Sequence, residues 1–276
     1  MIEVNQLGKR FALGDPKAAA QEHGADPRQR GRFFYSVESV SFSCPPGAVL
    51  GLVGPNGAGK TTTLRMLSGV LTPDSGSIRI DGQDLHQGGN AVRAQVGFLS
   101  GTTALYERLS VAENLTYFGR LYGLSPAQCQ ERIELLSEQL GMTAYLKRRV
   151  KELSTGMRQR ANIARAVVHD PKVIILDEPT TGLDIMSTET VLGFIAEQKA
   201  AGRPVIFSTH HLDEVSLLCD QLAVILLGNS VYSGALEGFA GSRDSDAIRK
   251  EFMRRHHETE GQQAMEEVQH AQADLA

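Results

Sequence analysis

Short apolar runs recur along the chain at Ala48 to Val53, Ile78 to Ile80, Val173 to Leu176, Val205 to Phe207 and Leu222 to Leu227, each bounded by Gly, Pro or charged residues. Runs this short read as buried strands, and helical patterns lie between several of them. Strands of near-continuous apolar character that alternate with helices predict a mostly parallel sheet covered on both faces, hence an α/β fold. From Val111 to Ala166 the chain reads helical, with Pro126 in a first turn after Ser125 and Gly141 as a stop after ERIELLSEQL. This predicts a helical subdomain, about residues 102–165, inserted in the sheet. Residues 13–32 are rich in Gly, Pro, Ala and charge with no steady apolar period, and are expected to form a flexible insertion between two early strands. After Ser233 the sequence turns polar, and apolar positions in 251–276 are too sparse for a core helix. An exposed, partner-bound or frayed helix is expected there. The division read from these shifts is a main domain over 1–235 and a polar C-terminal extension over 236–276.

Composition narrows the class. A chain of 276 residues with 41% hydrophobic content can build a sizeable core, which excludes general disorder. The longest apolar run, Leu222 to Leu227, is far shorter than the 18 or so residues of a spanning helix, and the N-terminus MIEVNQLGKRF has no apolar signal region. A soluble, unsecreted chain is expected, any membrane role falling to a partner. Cys44, Cys129 and Cys219 are odd in number and far apart, which fits reduced packing residues better than disulfides or a zinc site. Lys and Arg number 28 against 32 Asp and Glu, a net charge of -4 with no basic block. That argues against nucleic acid as the main ligand, though not against nucleotides.

The strand Val49 to Val53 runs straight into Gly54-Pro55-Asn56-Gly57-Ala58-Gly59-Lys60-Thr61, after which TTLRMLSGV is helical. This is the G-x-x-x-x-G-K-[ST] pattern in its required strand and helix setting. Glycines let such a loop wrap an anion with inward backbone N–H groups, and the following helix adds its positive end. Lys60 is placed to reach β- and γ-phosphates, the Thr61 hydroxyl to take one position around Mg²⁺, and Thr62 to add a phosphate contact. A second apolar strand ends in Asp177-Glu178, and ligands of open α/β sheets sit beyond the carboxyl ends of strands. Asp177 is thus a candidate Mg²⁺ ligand, directly or through water, and Glu178 a candidate base for the attacking water.

Between these pieces, Leu153-Ser154-Thr155-Gly156-Met157-Arg158-Gln159-Arg160 resembles the LSGGQ signature of ATP-binding-cassette ATPases, with Thr155 and Met157 as departures. Thr181-Gly182-Leu183-Asp184 is similar to that family's D-loop, and Ser208-Thr209-His210 to its switch histidine, with His211 as a rival. The resemblance covers about residues 1 to 235. It implies a P-loop NTPase cassette with a mostly parallel core sheet, an N-terminal antiparallel strand region and an inserted helical subdomain. It also implies that two copies face each other head to tail. Each ATP would then lie between one copy's phosphate loop and Ser154, Thr155, Gly156 and Met157 of the other. A helix start offering Ser154 and the Gly156 backbone suits a γ-phosphate and the charge that builds during its transfer. Phe11 matches the family's aromatic that stacks on adenine, while Phe33, Phe34 and Tyr35 beyond the insertion are rivals. One position departs: Gly101 stands where the family has a Gln that reaches Mg²⁺ and the attacking water. Water, Ser100 or Thr102 would have to fill that role, or turnover would be slower.

The stretch GFLSGTTALYERLSVAENLTYFGRLYGL resembles the ATP-binding subunits of the sodium-extrusion (NatA-type) and drug or glycoconjugate export branch. The expectation is an ATP-hydrolysing subunit that powers export, with sodium efflux the first guess, through a separate transmembrane permease at the cytoplasmic face of the membrane. Leu105, Tyr106 and Leu109 are candidates for an apolar groove receiving a permease helix. Two other readings stand beside it: a soluble cassette working on nucleic acid or ribosomes, and an ATP sensor that does not hydrolyse.

Overall fold

The structure, a computed structural model, describes residues 1–14, 26–101 and 104–273. Strands β1 (Ile2–Ala12), β2 (Gln29–Arg30) and β3 (Phe33–Cys44) open the chain, and β4 (Val49–Val53) leads through the phosphate loop into helix α1 (Lys60–Leu67). Next come β5 (Ser75–Ile80), β6 (Gln83–Asp84), the short α2 (Gly89–Arg93) and β7 (Val96–Leu99). Helices α3 (Val111–Leu121), α4 (Pro126–Gln139) and α5 (Thr155–Val167) form the predicted helical insertion. The sheet then resumes with β8 (Val173–Asp177), α6 (Ile185–Ala200), β9 (Val205–Ser208), α7 (Leu212–Leu218) and β10 (Gln221–Leu226). The chain closes with β11 (Asn229–Ala235), α8 (Leu236–Ala240) and α9 (Ser245–Ala273).

Strands β10, β4, β9, β8 and β7 lie side by side and parallel. The N-terminal strands β1, β3, β5 and β6 pair antiparallel, and this layer joins the parallel part through β11. The fold is therefore the mixed α/β cassette that the sequence implied. Apolar runs without alternation arise because both faces of the parallel strands are covered. Val49 and Val53 face the core shared with α3 to α9, whereas Leu50 and Leu52 face the core of α1 and the antiparallel layer. Ile174 and Leu176 divide from Val173 and Ile175 in the same way. All three cysteines are buried and free, and burial pushes the Cys44 thiol up to about 12.

Register decides what meets at the carboxyl ends of these strands. Leu52 of β4 and Asp177 of β8 both pair with Ser208 of β9, so the phosphate loop, the acidic pair and the end of β9 leave the sheet at one level. The helical insertion is framed by local signals. Ser110 and Ser125 each close a capping box, on Glu113 and Gln128, and Pro126 occupies the first turn of α4.

Of the 13–32 insertion, residues 15–25 lie outside the described residues. Its last part is folded onto the sheet, with Gln29–Arg30 pairing to Phe33 and Phe34. The C-terminal extension also starts inside the core: Leu236, Phe239 and Ile248 are buried, and Arg255 stacks 5.2 Å from the rings of Tyr232 and Phe239.

Candidate nucleotide site

β4 is buried along its whole length, and the chain turns from it through Gly54 to Gly59 into α1. Gly59 has φ 109°, and a Cβ there would lie 2.5 Å from the Ser36 carbonyl oxygen, so no side chain fits without moving β3. Lys60 is buried under its own loop, its Nζ donating to the carbonyls of Gly54 at 2.7 Å and Pro55 at 3.0 Å. Burial lowers the pKa of this ammonium, and the charges of Glu178 and Asp177 oppose that shift. The Thr62 hydroxyl meets Ser36 Oγ at 2.8 Å, which ties the start of α1 to β3.

The acidic pair is organised by a residue quoted in the sequence only as the neighbour of a histidine. Ser208, fully buried at the end of β9, donates from Oγ to Asp177 Oδ1 at 2.7 Å and accepts the Glu178 N–H at 3.0 Å. The same Asp177 oxygen accepts from Thr61 Oγ1 at 3.3 Å, which joins α1 to β8. Glu178 itself sits at φ 47°, a left-handed conformation that costs a non-glycine residue about 1 kcal/mol or more. Its carboxylate is held on both sides: Oε2 accepts from Thr181 Oγ1 at 2.9 Å, and Oε1 lies 3.5 Å from His210 Nδ1. His211, the rival, stands just before α7 without a capping hydrogen bond from its side chain, and its ring packs 4.1 Å from that of His210. Thr209 fixes this turn by donating to the buried carboxylate of Glu214 at 2.8 Å and accepting the His211 N–H.

A hydroxyl and a carboxylate 3.3 Å apart are hard oxygen donors, and together with phosphate oxygens and water they make the set that Mg²⁺ takes. The residues present therefore fit Mg²⁺ at Thr61 and Asp177 beside a phosphate loop.

A cavity of about 280 Å³ opens over the loop, walled by Gly57, Lys60, Thr61, Glu178, Phe34 and Arg28. Phe34, one of the rival aromatics, is on this wall. Phe11 pairs directly with Phe34 across β1 and β3, which places both on one face of the sheet, and it is 40% exposed. The signature residues stand apart: none of Ser154, Thr155, Gly156 or Met157 lines the cavity. Ser154 caps α5, its Oγ accepting the Met157 N–H at 3.3 Å, and both Ser154 and Thr155 are exposed. Gly156 packs against the cap of α6, where Asp184 accepts from the Ser187 N–H and hydroxyl, each at 2.9 Å. At Gly101 a Cβ would meet no atom within 4 Å, so the backbone leaves room for a side chain that the sequence does not supply. Thr102 lies outside the described residues. Sequence reasoning missed Arg28 and Ser36, and it quoted Thr181 and Ser208 inside the D-loop and switch-histidine motifs without giving either a role. Only Ser208 had a readable signal, as the polar end of a strand beside the acidic one.

The order of loop, signature helix, acidic strand end and histidine can be compared with known proteins. The ABC transporter family model matches residues 37–181. Over 219 residues the chain is 45% identical to ABC transporter ATP-binding protein NatA of Bacillus subtilis (strain 168), covering 79% of this chain and 89% of that protein. The chain belongs to the ATP-binding subunits of ABC transporters. This cassette is also 42% identical over 199 residues to Nod factor export ATP-binding protein I of Paraburkholderia xenovorans (strain LB400), covering 72% of the cassette and 66% of that relative. Among solved structures it is similar to an ATP-binding subunit of an ABC transporter, with TM-score 0.75 and 29% identity, over 92% of this chain and 99% of that one. A cassette solved as a dimer with ADP and phosphate shares the fold, at TM-score 0.73 and 20% identity, over 87% of this chain and all of that one. By family the protein is an ATPase.

Proposed function

We propose that this cassette binds ATP with Mg²⁺ between its phosphate loop and the signature helix of a second copy, hydrolyses it through Glu178, and so powers export through a separate transmembrane permease. The observation that carries the reading is the meeting of Thr61, Asp177, Glu178 and His210 around Ser208 at one end of the sheet, with separations of 2.7 to 3.5 Å. Lys60 is poised to exchange two loop carbonyls for phosphate oxygens, a trade that favours its charged form. Thr61 and Asp177 would hold Mg²⁺, which would offset negative charge developing on the phosphates. Glu178 orients the attacking water and takes its proton, while Thr181 and His210 fix the carboxylate's direction. Phe34 and Phe11 offer the aromatic face for adenine. Glu178→Gln is expected to lower steady-state phosphate release by about a hundredfold or more while ATP still binds. Unchanged turnover would remove Glu178 as the base.

No helix among the described residues is long and apolar enough to cross a membrane, so the reading assigns the membrane path to a partner. A groove of about 650 Å³ between the sheet and the helical subdomain suits a permease helix, with Val70, Phe98, Leu121 and Tyr122 on its walls and Arg93 and Arg165 beside them. The expected groove residues are only partly there. Leu105 turns into the core, and Tyr106 is exposed beside the groove, stacked on Phe118. On this reading the cassette works at the cytoplasmic face of the membrane. The Nod factor relatives are export proteins by name, and sodium is the first cargo to test, as efflux from cells carrying the cassette and its permease. Turnover stimulated by RNA or ribosomes would favour the soluble class instead, and tight ATP binding with no turnover would favour the sensor.

A further inference from the structure

Arg28 belongs to the folded end of the insertion and is 8% exposed. Its guanidinium lies 4.8 Å over the Phe34 ring and donates from one amino group to the Gly57 carbonyl, inside the phosphate loop, at 2.6 Å. Nε and the other amino group bind Asp26 in a two-pronged pair at 3.0 and 2.6 Å. An Arg beside an Asp two residues away is ordinarily a solvated clip. Here the cation is withdrawn from water, and it walls the same cavity as Lys60. Lys60 is faced by the carboxylates of Glu178 and Asp177, and removing the Arg28 guanidinium from water is likewise costly unless anions answer it. Asp26 answers part of that charge and fixes the plane of the group. A polyphosphate in the cavity would answer the rest.

We propose that Arg28 is a nucleotide-binding residue carried by the insertion, aimed by Asp26 at the phosphates of a nucleoside di- or triphosphate whose base lies on Phe34. The proposal rests on the nucleotide site argued above. Asp26 is the positioning residue: its carboxyl is held below the usual range chiefly by the hydrogen bond from Arg28. The peptide after Gly57 is locked by a charge-assisted hydrogen bond, so ligand contact and loop shape are coupled through one side chain.

The test is the affinity of the full chain for ADP with Mg²⁺ by titration calorimetry, with melting temperatures recorded alongside. Arg28→Met keeps the apolar stem over Phe34 and removes the charge. It is expected to weaken ADP about tenfold and to raise KM for ATP more than it changes kcat. Arg28→Lys keeps the charge but gives up the two-pronged pair and the stack on Phe34, and is expected to fall between the parent and Arg28→Met. Lys60→Ala should lose binding altogether, which tests the site itself. Wild-type or tighter ADP binding by Arg28→Met, with Lys60→Ala impaired, overturns the role of Arg28 and leaves the site standing. Normal binding by Lys60→Ala overturns the site. Equal losses in Arg28→Met and Arg28→Lys, both with lowered melting temperatures, would reduce Arg28 to a structural prop and overturn the proposal.

Discussion

His169 shows how one side chain makes this fold sensitive to acid. It ends the run after α5, stacks flat on Tyr122 at 3.7 Å and makes a 3.3 Å bond from Nε2 to the Val96 carbonyl. Burial lowers its pKa to about 4, the Val96 bond opposes the shift, and Arg132 and Arg165 lower it further against Asp170. The folded value is below the unfolded one of about 6.5. Between those two values the unfolded chain therefore holds a proton that the native chain does not. Stability from this residue is complete above about pH 6.5 and is lost as pH falls toward 4. Between pH 7 and pH 5 the loss should be about 2 kcal/mol. His169→Phe keeps a ring against Tyr122 but cannot titrate, so urea unfolding at the two pH values should show a smaller drop in the variant. Equal drops would assign the acid sensitivity elsewhere. Ser208 is the same lesson at the active end of the sheet. It was quoted in the sequence only as the neighbour of a histidine, because its bonds to Asp177 and Glu178 come from the pairing of β8 with β9.

At the scale of elements, the junction of α5 and α6 links the signature to the D-loop. A Cβ on Gly156 would come within 2.4 Å of Ser187 Oγ, and that hydroxyl is tied to Asp184 at 2.9 Å. It cannot swing aside without giving up a cap bond. Overpacking of this kind costs about 1 to 3 kcal/mol, whereas the gain in helix propensity from Gly to Ala is about 1 kcal/mol, so Gly156→Ala should destabilise the chain. With Ser187→Ala added, the 2.4 Å clash is removed and a tight 3.1 Å contact with the residue-187 Cβ remains, so the same change should cost clearly less. A double-mutant cycle in urea would then give a coupling of about 1 kcal/mol or more. Simple additivity would mean that the two helices do not share this contact. Such couplings explain which elements were readable. The strands β4, β8, β9 and β10 announced themselves because burial on both faces leaves no polar positions, and α4 did so because Ser125, Pro126 and Gly141 mark its ends. β11 did not, since Asn229 to Ala235 is only partly buried, and its place between β3 and β10 depends on partners far off in sequence. Leu105 and Tyr106 look alike in sequence, but the turn sends one inward and the other out.

For the whole molecule, the proposed reading requires a second chain to complete the site. The phosphate cavity is walled by the loop, Phe34, Arg28 and Glu178, while Ser154 and Thr155 lie exposed on another part of the surface at the start of α5. Beside Asp184, Ile185 and Met186 are 80% and 75% exposed at the start of α6. Two large apolar side chains beside the exposed start of α5 make a face suited to a protein partner. If that partner is a second copy, one phosphate loop and one signature per chain yield two complete sites by two-fold symmetry. ATP held between the copies would then act as the glue, and hydrolysis would release them. Glu178→Gln, which stalls hydrolysis, should therefore sediment or scatter as a monomer without nucleotide and as a dimer with ATP and Mg²⁺. Adding Ser154→Arg places a bulky cation at the cap of α5, where it blocks the close approach of a phosphate-bearing partner, and should return the ATP-bound protein to monomer. Dimer formation that ignores Ser154→Arg would put the contact elsewhere on the surface. ATP binding by Glu178→Gln with no dimer under any condition would mean that the second cassette is a different chain or that the permease must hold the two copies together.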